Sequence, residues 1–120
     1  MSSSIKLLFN ELREIDATTL TGNWQLIPKA GGGSGFFDYN VITYWLDNQS
    51  DKPVILSFDG GITVHHRVPA YGYFSEDIAT NQAAVAGDLL VSAGTGVFVK
   101  HAGVVPTTGY VTFASRSRQE

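Results

Sequence analysis

Cysteine is absent from this chain of 120 residues. That excludes a disulfide framework, thiolate catalysis and any zinc site built on cysteine. Basic charge is scarce as well. The formal net charge is −3, so there is no electrostatic footprint for nucleic acid. No apolar run approaches the ~18 residues of a membrane span, and residues 1–20 carry no long apolar stretch of the secretory kind. The expectation is a soluble protein made in the cytoplasm, with neither nucleic acid nor membrane as partner. Charged residues make up 16% of the chain and hydrophobic ones 43%, a balance that folds rather than remaining disordered. The length suits one domain with a single core.

What is present is β signal. The most informative stretch is Asn48 to Pro69, NQSDKPVILSFDGGITVHHRVP. Val54 to Phe58 forms a short apolar run. Asp59, Gly60 and Gly61 reverse the chain, because glycine takes positive φ without steric cost, and an alternating run follows from Ile62 to Val68. Period-2 alternation predicts that Val54, Leu56, Phe58, Ile62, Val64 and Val68 face inward. Ile55, Ser57, Thr63, His65 and Arg67 take the wetter side.

Further strands are expected at Ile15–Leu20, Trp24–Pro28, Tyr39–Asp47, Tyr71–Asp77, Asp88–Ser92, Gly96–Lys100 and Gly109–Ser115, with turn residues between nearly all of them. Many short strands without intervening helices predict an all-β protein, an antiparallel β-sandwich of jelly-roll type over residues 15–120. Residues 1–14 differ. Ile5, Leu8, Phe9 and Leu12 follow helical spacing with Ser2 to Ser4 as caps, so a short helix or an extended arm reaching a neighbouring subunit fits them equally. The strand from Tyr39 to Leu46 is apolar on both faces, Val41 and Trp45 on one and Ile42, Tyr44 and Leu46 on the other. Such a strand is covered on both sides, by its own chain or by another subunit.

Enzyme motifs fail individually. Gly31 to Phe36, GGGSGF, lacks the last glycine of a dinucleotide fingerprint and the lysine of a phosphate loop. Ser34 is one residue short of a nucleophile elbow. The bland reading of this loop is a mobile glycine segment. His65 and His66 point to opposite faces of a strand, so they do not chelate one ion together; His101 is a distant third. His65 is expected at the surface, and His66 hydrogen-bonded towards the core or an interface. No catalytic, cofactor or metal residue is assigned. Tyr71 and Tyr73 share one face and form the best exposed aromatic pair, which also suits a lectin-like glycan-binding module. A cupin-like metalloenzyme using His66 and His101 is the last alternative.

Several segments together carry a family likeness. They are Trp24-Gln25-Leu26-Ile27, Ile42 to Asn48, Pro53-Val54-Ile55-Leu56-Ser57-Phe58-Asp59-Gly60 and His66 to Ala70. Asp77-Ile78-Ala79-Thr80-Asn81, Gly94-Thr95-Gly96-Val97-Phe98-Val99-Lys100 and Pro106-Thr107-Thr108-Gly109 complete the order. Over nearly its whole length the chain resembles the small β-sandwich structural proteins of tailed bacteriophages, among them capsid decoration or cement proteins and head–tail accessory proteins. The resemblance implies a non-enzymatic virion subunit, assembled in the host cytoplasm. Its partners would be the major capsid protein, or neck and tail proteins, and copies of itself in a homo-oligomer. Ile5, Leu8, Phe9, Leu12, Ile42, Tyr44, Tyr71 and Tyr73 are the expected interface residues, and Asp59, Gly60 and Gly61 the structural turn.

Overall fold

The computed structural model describes residues 6–33, 35–77 and 93–119. Its strands are β1 (Lys6–Phe9), β2 (Arg13–Asp16), β3 (Gln25–Leu26), β4 (Val41–Asn48), β5 (Val54–Ser57), β6 (His66–Val68), β7 (Tyr73–Asp77), β8 (Phe98–His101) and β9 (Tyr110–Gln119). A single 3-10 turn, Ala17–Thr19, follows β2, with Asp16 accepting from the Thr18 N–H as its cap.

β9 shows how the pattern produces the fold. Val111, Phe113, Ser115 and Ser117 are buried on one side, whereas Thr112, Ala114 and Arg116 alternate with them on the other. β9 pairs antiparallel with β4 along one flank, and with β1 and then β2 along the other. β4 also pairs with β7, so the first sheet runs β1/β2-β9-β4-β7. The second runs β3-β8-β5-β6, again antiparallel throughout. Inward side chains from both sheets form one core, in which Leu46, Val111 and Phe113 of the first join Val54, Leu56, Val68 and Val99 of the second. Ala17, Leu20, Ile27, Phe37 and Val97 close its ends. The protein is an all-β antiparallel sandwich.

Some expectations change. The stretch assigned to an arm or helix is β-strand from Lys6, because the free edge of β9 satisfies its backbone. Asn10 bridges the break between β1 and β2. Its N–H donates to the Ser115 carbonyl, and its Nδ2 reaches the hydroxyls of Ser115 (2.9 Å) and Ser117 (2.8 Å). The sandwich therefore starts before residue 15. The expected strand at Asp88–Ser92, and Ile5, lie outside the described residues.

The β5–β6 hairpin forms, pairing Val54 with Val68 and Leu56 with His66, but its connection spans residues 58–65 rather than a tight turn. Gly60 and Gly61 do take positive φ, 73° and 102°. Ser57 Oγ donates to Asp59 Oδ1 and accepts from the Gly61 N–H (2.9 Å), and Asp59 Oδ1 accepts from the Thr63 N–H (2.9 Å). This network folds the loop over Ser57, which is buried on the side expected to be wet. Ile62, 88% exposed, and Val64 face solvent instead of the core, because strand alternation does not extend through the loop.

Candidate binding surfaces

Three polar clusters inside the sandwich have the composition of a site but the geometry of a bracket. In the first, the buried Tyr44 hydroxyl lies 2.7 Å from His66 Nε2 and 3.4 Å from Glu76 Oε1. A hydroxyl has one hydrogen. The tautomer in which His66 Nε2–H donates to Tyr44 and Tyr44 donates to Glu76 satisfies both contacts. The His66 ring packs against Phe74 at a tilt of 37° with centroids 3.8 Å apart, and Phe58 meets Tyr44 edge-on at 5.2 Å. These rings tie β6 of one sheet to β4 and β7 of the other. Burial and the Glu76 charge push the Tyr44 hydroxyl pKa well above its usual value, and burial lowers that of His66, so both are neutral at pH 7.

The second cluster surrounds Asn48. Its Nδ2 donates to the carbonyls of Lys52 (2.9 Å), Val68 (3.3 Å) and Pro69 (3.0 Å), while its Oδ1 accepts from the N–H (3.0 Å) and hydroxyl (2.6 Å) of Ser50. Nearby, Asp51 accepts from the backbone N–H groups of Thr107 and Thr108 and from the Thr107 hydroxyl, which holds its carboxyl well below the usual carboxylate range. In the third, the buried Arg13 donates from Nε to the Gly35 carbonyl (3.0 Å) and from its terminal nitrogens to the Glu11 (3.0 Å) and Phe36 (3.4 Å) carbonyls. It lies 4.2 Å above the Phe37 ring, and desolvation lowers its pKa. With the Glu11 carboxylate accepting from the Gly31 N–H (2.6 Å), Arg13 pins both ends of the glycine segment that the sequence suggested was mobile.

The histidines do not converge. His65 is exposed, with Nδ1 accepting from the Phe58 N–H; His101 lies on β8, with Nδ1 accepting from the Gly103 N–H. Among the described residues no group of three His, Asp or Glu is placed to hold a metal ion. The outer face of the second sheet carries a shallow open depression of about 440 Å³, crossed by Ile55, Arg67 and Lys100. The Lys100 ammonium lies 5.1 Å from the centre of the Trp24 ring.

The outward faces and loops are more informative. One end of the sandwich carries the loop between β3 and β4, with Phe36 and Tyr39 exposed, and the β5–β6 loop with Ile62 and Val64. Phe9 on β1 is 78% exposed and Leu12 follows it. The outer face of the first sheet carries Trp45, Tyr73 and Tyr110, all exposed. Arg116 lies between the rings of Trp45 (5.7 Å) and Phe9 (5.9 Å) and donates to the Thr43 hydroxyl.

Of the expected interface residues, Phe9, Leu12, Tyr71 and Tyr73 are exposed and Ile42 is half-buried, while the Leu8 side chain lies outside the described set. Tyr44 is the correction. A register shift between Val41 and Thr43 puts Val41 and Tyr44 on the same, core-facing side, leaving Trp45 outward. Arg13 was missed altogether, since no local pattern marks an arginine that reaches the Gly35 and Phe36 carbonyls more than twenty residues away. No protein-family model matches this chain, and no curated protein matches it.

Proposed function

We propose that this chain is a non-enzymatic structural subunit of a tailed-bacteriophage virion, one that decorates or cements the capsid through protein–protein contacts. The observation that carries the reading is the apolar exposure on β1 and on the loops at one end. Phe9 at 78% and Ile62 at 88% stand in water, as do Leu12 and Val64, while the core of both sheets is buried. Such groups are best covered by a partner. On a symmetric shell many identical copies bind together, so each contact can be modest.

Two further points support this reading. The segments that resemble the phage proteins are structural: SFDG closes β5 and its capped loop, and Gly94 to Lys100 leads into β8. We also read the strand order as a jelly roll. β2-β9-β4-β7 against β3-β8-β5-β6 interleaves early and late strands as two Greek keys do, an architecture shared by viral capsid and lectin domains. Quantitative mass spectrometry of virions from the phage carrying the gene tests the proposal. A copy number comparable with the major capsid protein supports decoration. A few to a few dozen copies would move the subunit to the neck or tail, and absence from the particle would overturn the virion role.

A further inference from the structure

The outer face of the first sheet is arranged differently from the apolar end. Cα partners across it are Tyr73–Asp47–Thr112, and in the adjacent rank Ser75–Trp45–Ala114. Gln49 continues β4 past Asn48, its N–H donating to the Tyr110 carbonyl (2.8 Å). Asp47 thus has Tyr73 beside it, Trp45 and Gln49 along its own strand, and Tyr110 on the diagonal. Asp47 Oδ2 accepts from Gln49 Nε2 at 2.8 Å. That bond uses one carboxylate oxygen and one amide hydrogen; the remaining oxygen accepts and the remaining hydrogen donates. At the border of this group Tyr71 is 69% exposed and has φ +57°, the single non-glycine at positive φ among the described residues. For a bulky residue this is a strained conformation of the kind that clusters at ligand sites.

We infer that this face binds a neutral saccharide, with Trp45, Tyr73 and Tyr110 stacking on its ring faces and the Asp47–Gln49 pair hydrogen-bonding its hydroxyls. Aromatic rings set around an adjacent donor and acceptor match a molecule that alternates C–H faces with hydroxyl edges. A nucleic acid would also stack, but its phosphates would meet Asp47, Glu14 and Asp16 on the same side. Among the described side chains the cation beside it, Arg116, lies between two rings and donates to Thr43. A protein partner fits less well. Interface cores are depleted in aspartate, glutamate and serine, and the positions around Asp47 hold no Leu, Ile, Val or Met.

The test uses the isolated full chain displayed multivalently on an array of neutral oligosaccharides, so its outcome is independent of where the protein sits in a particle. Hits are titrated in solution by tryptophan fluorescence. The expected result is binding to at least one neutral oligosaccharide that persists in 0.5 M NaCl (a concentration chosen at about five times the ~0.1 M where screening is already substantial). Tyr73→Ala and Asp47→Ala should each weaken it at least about tenfold, the size of one lost contact, while Arg67→Ala on the other sheet leaves it unchanged. Trp45→Ala should abolish the fluorescence response. Tyr73 is 74% exposed, so its truncation does not threaten folding. An array with no neutral glycan above background would overturn the proposal. So would binding that survives Tyr73→Ala and Asp47→Ala, or variants that lose self-association or single-stranded DNA binding instead.

Discussion

Replacing Asn48 by alanine should be among the most damaging single changes in this protein. Asn48 is fully buried on β4 and reaches across to the carbonyls of Val68 and Pro69 at the end of β6, so its amide joins the two sheets. The amide has two hydrogens for three carbonyls, and its oxygen accepts twice from Ser50. Counting two donated and two accepted bonds at about 1 kcal/mol net each, with some partners left unsatisfied, gives a loss of about 3–5 kcal/mol. For a domain of this size that lowers Tm by about 12–20 °C, at about 4 °C per kcal/mol. Asn48→Asp adds a sign that tests the geometry. A carboxylate facing buried carbonyls has its folded-state pKa raised above the unfolded value of about 4. Its penalty is therefore small below about pH 4 and grows as pH rises towards the folded pKa. Thermal and urea unfolding of both variants at pH 4 and pH 7 checks this, because acid effects elsewhere are common to the pair and cancel. Asn48→Asp should be the less stable of the two at pH 7 and should recover relative to Asn48→Ala at pH 4. A loss below about 1 kcal/mol in Asn48→Ala, or a pH-independent gap, would mean that the bracket does not hold the sheets.

Three other expectations follow from the geometry. Gly61→Ala should be much worse than Gly60→Ala in urea melts: a Cβ on Gly61 would lie 2.3 Å from Trp24 Cδ1, whereas one on Gly60 meets open space and costs only the ~1 kcal/mol of its positive φ. Ser57 and Thr63 hold the Asp59 carboxyl at about 2, so its contribution is complete above pH 4 and is lost as pH falls from about 4 towards 2; Asp59→Asn should flatten that part of the stability–pH profile. His66 has its pKa lowered by burial, so the unfolded chain binds its proton first and stability should decline as pH drops below about 6.5. His66→Phe should remove that decline, as followed by Tm between pH 5 and 8.

Local chemistry explains which features were legible in the sequence. Asp59-Gly60-Gly61 could be read because positive φ selects glycine, and Val54, Leu56 and Val68 because they sit in regular strand on one face. Ile62 and Val64 misled because alternation was carried through a loop. Tyr44 misled because the register shift at Val41 decides which face of β4 turns inward. From Lys6 to Phe9 the expected helical spacing gave way to pairing with β9, about a hundred residues away in sequence. The cluster around Asp47 was only half visible. Tyr73 could be picked out, but Trp45 and Tyr110 join it around Asp47 by register alone.

The central place of β9 also governs the timing of folding. It is the last of the nine described strands to leave the ribosome, yet β1, β2 and β4 all lean on it. Asn10 meets its partners Ser115 and Ser117 across separations of 105 and 107 residues. Until β9 emerges, β2 and β4 each expose an unpaired edge, and a nascent chain can find the edge of another before it finds its own. Closure is dominated by such distant pairings, so it belongs to the millisecond-to-second regime. A chain stalled before Tyr110 should be captured by chaperones or aggregate, while one released after β9 should fold as a unit.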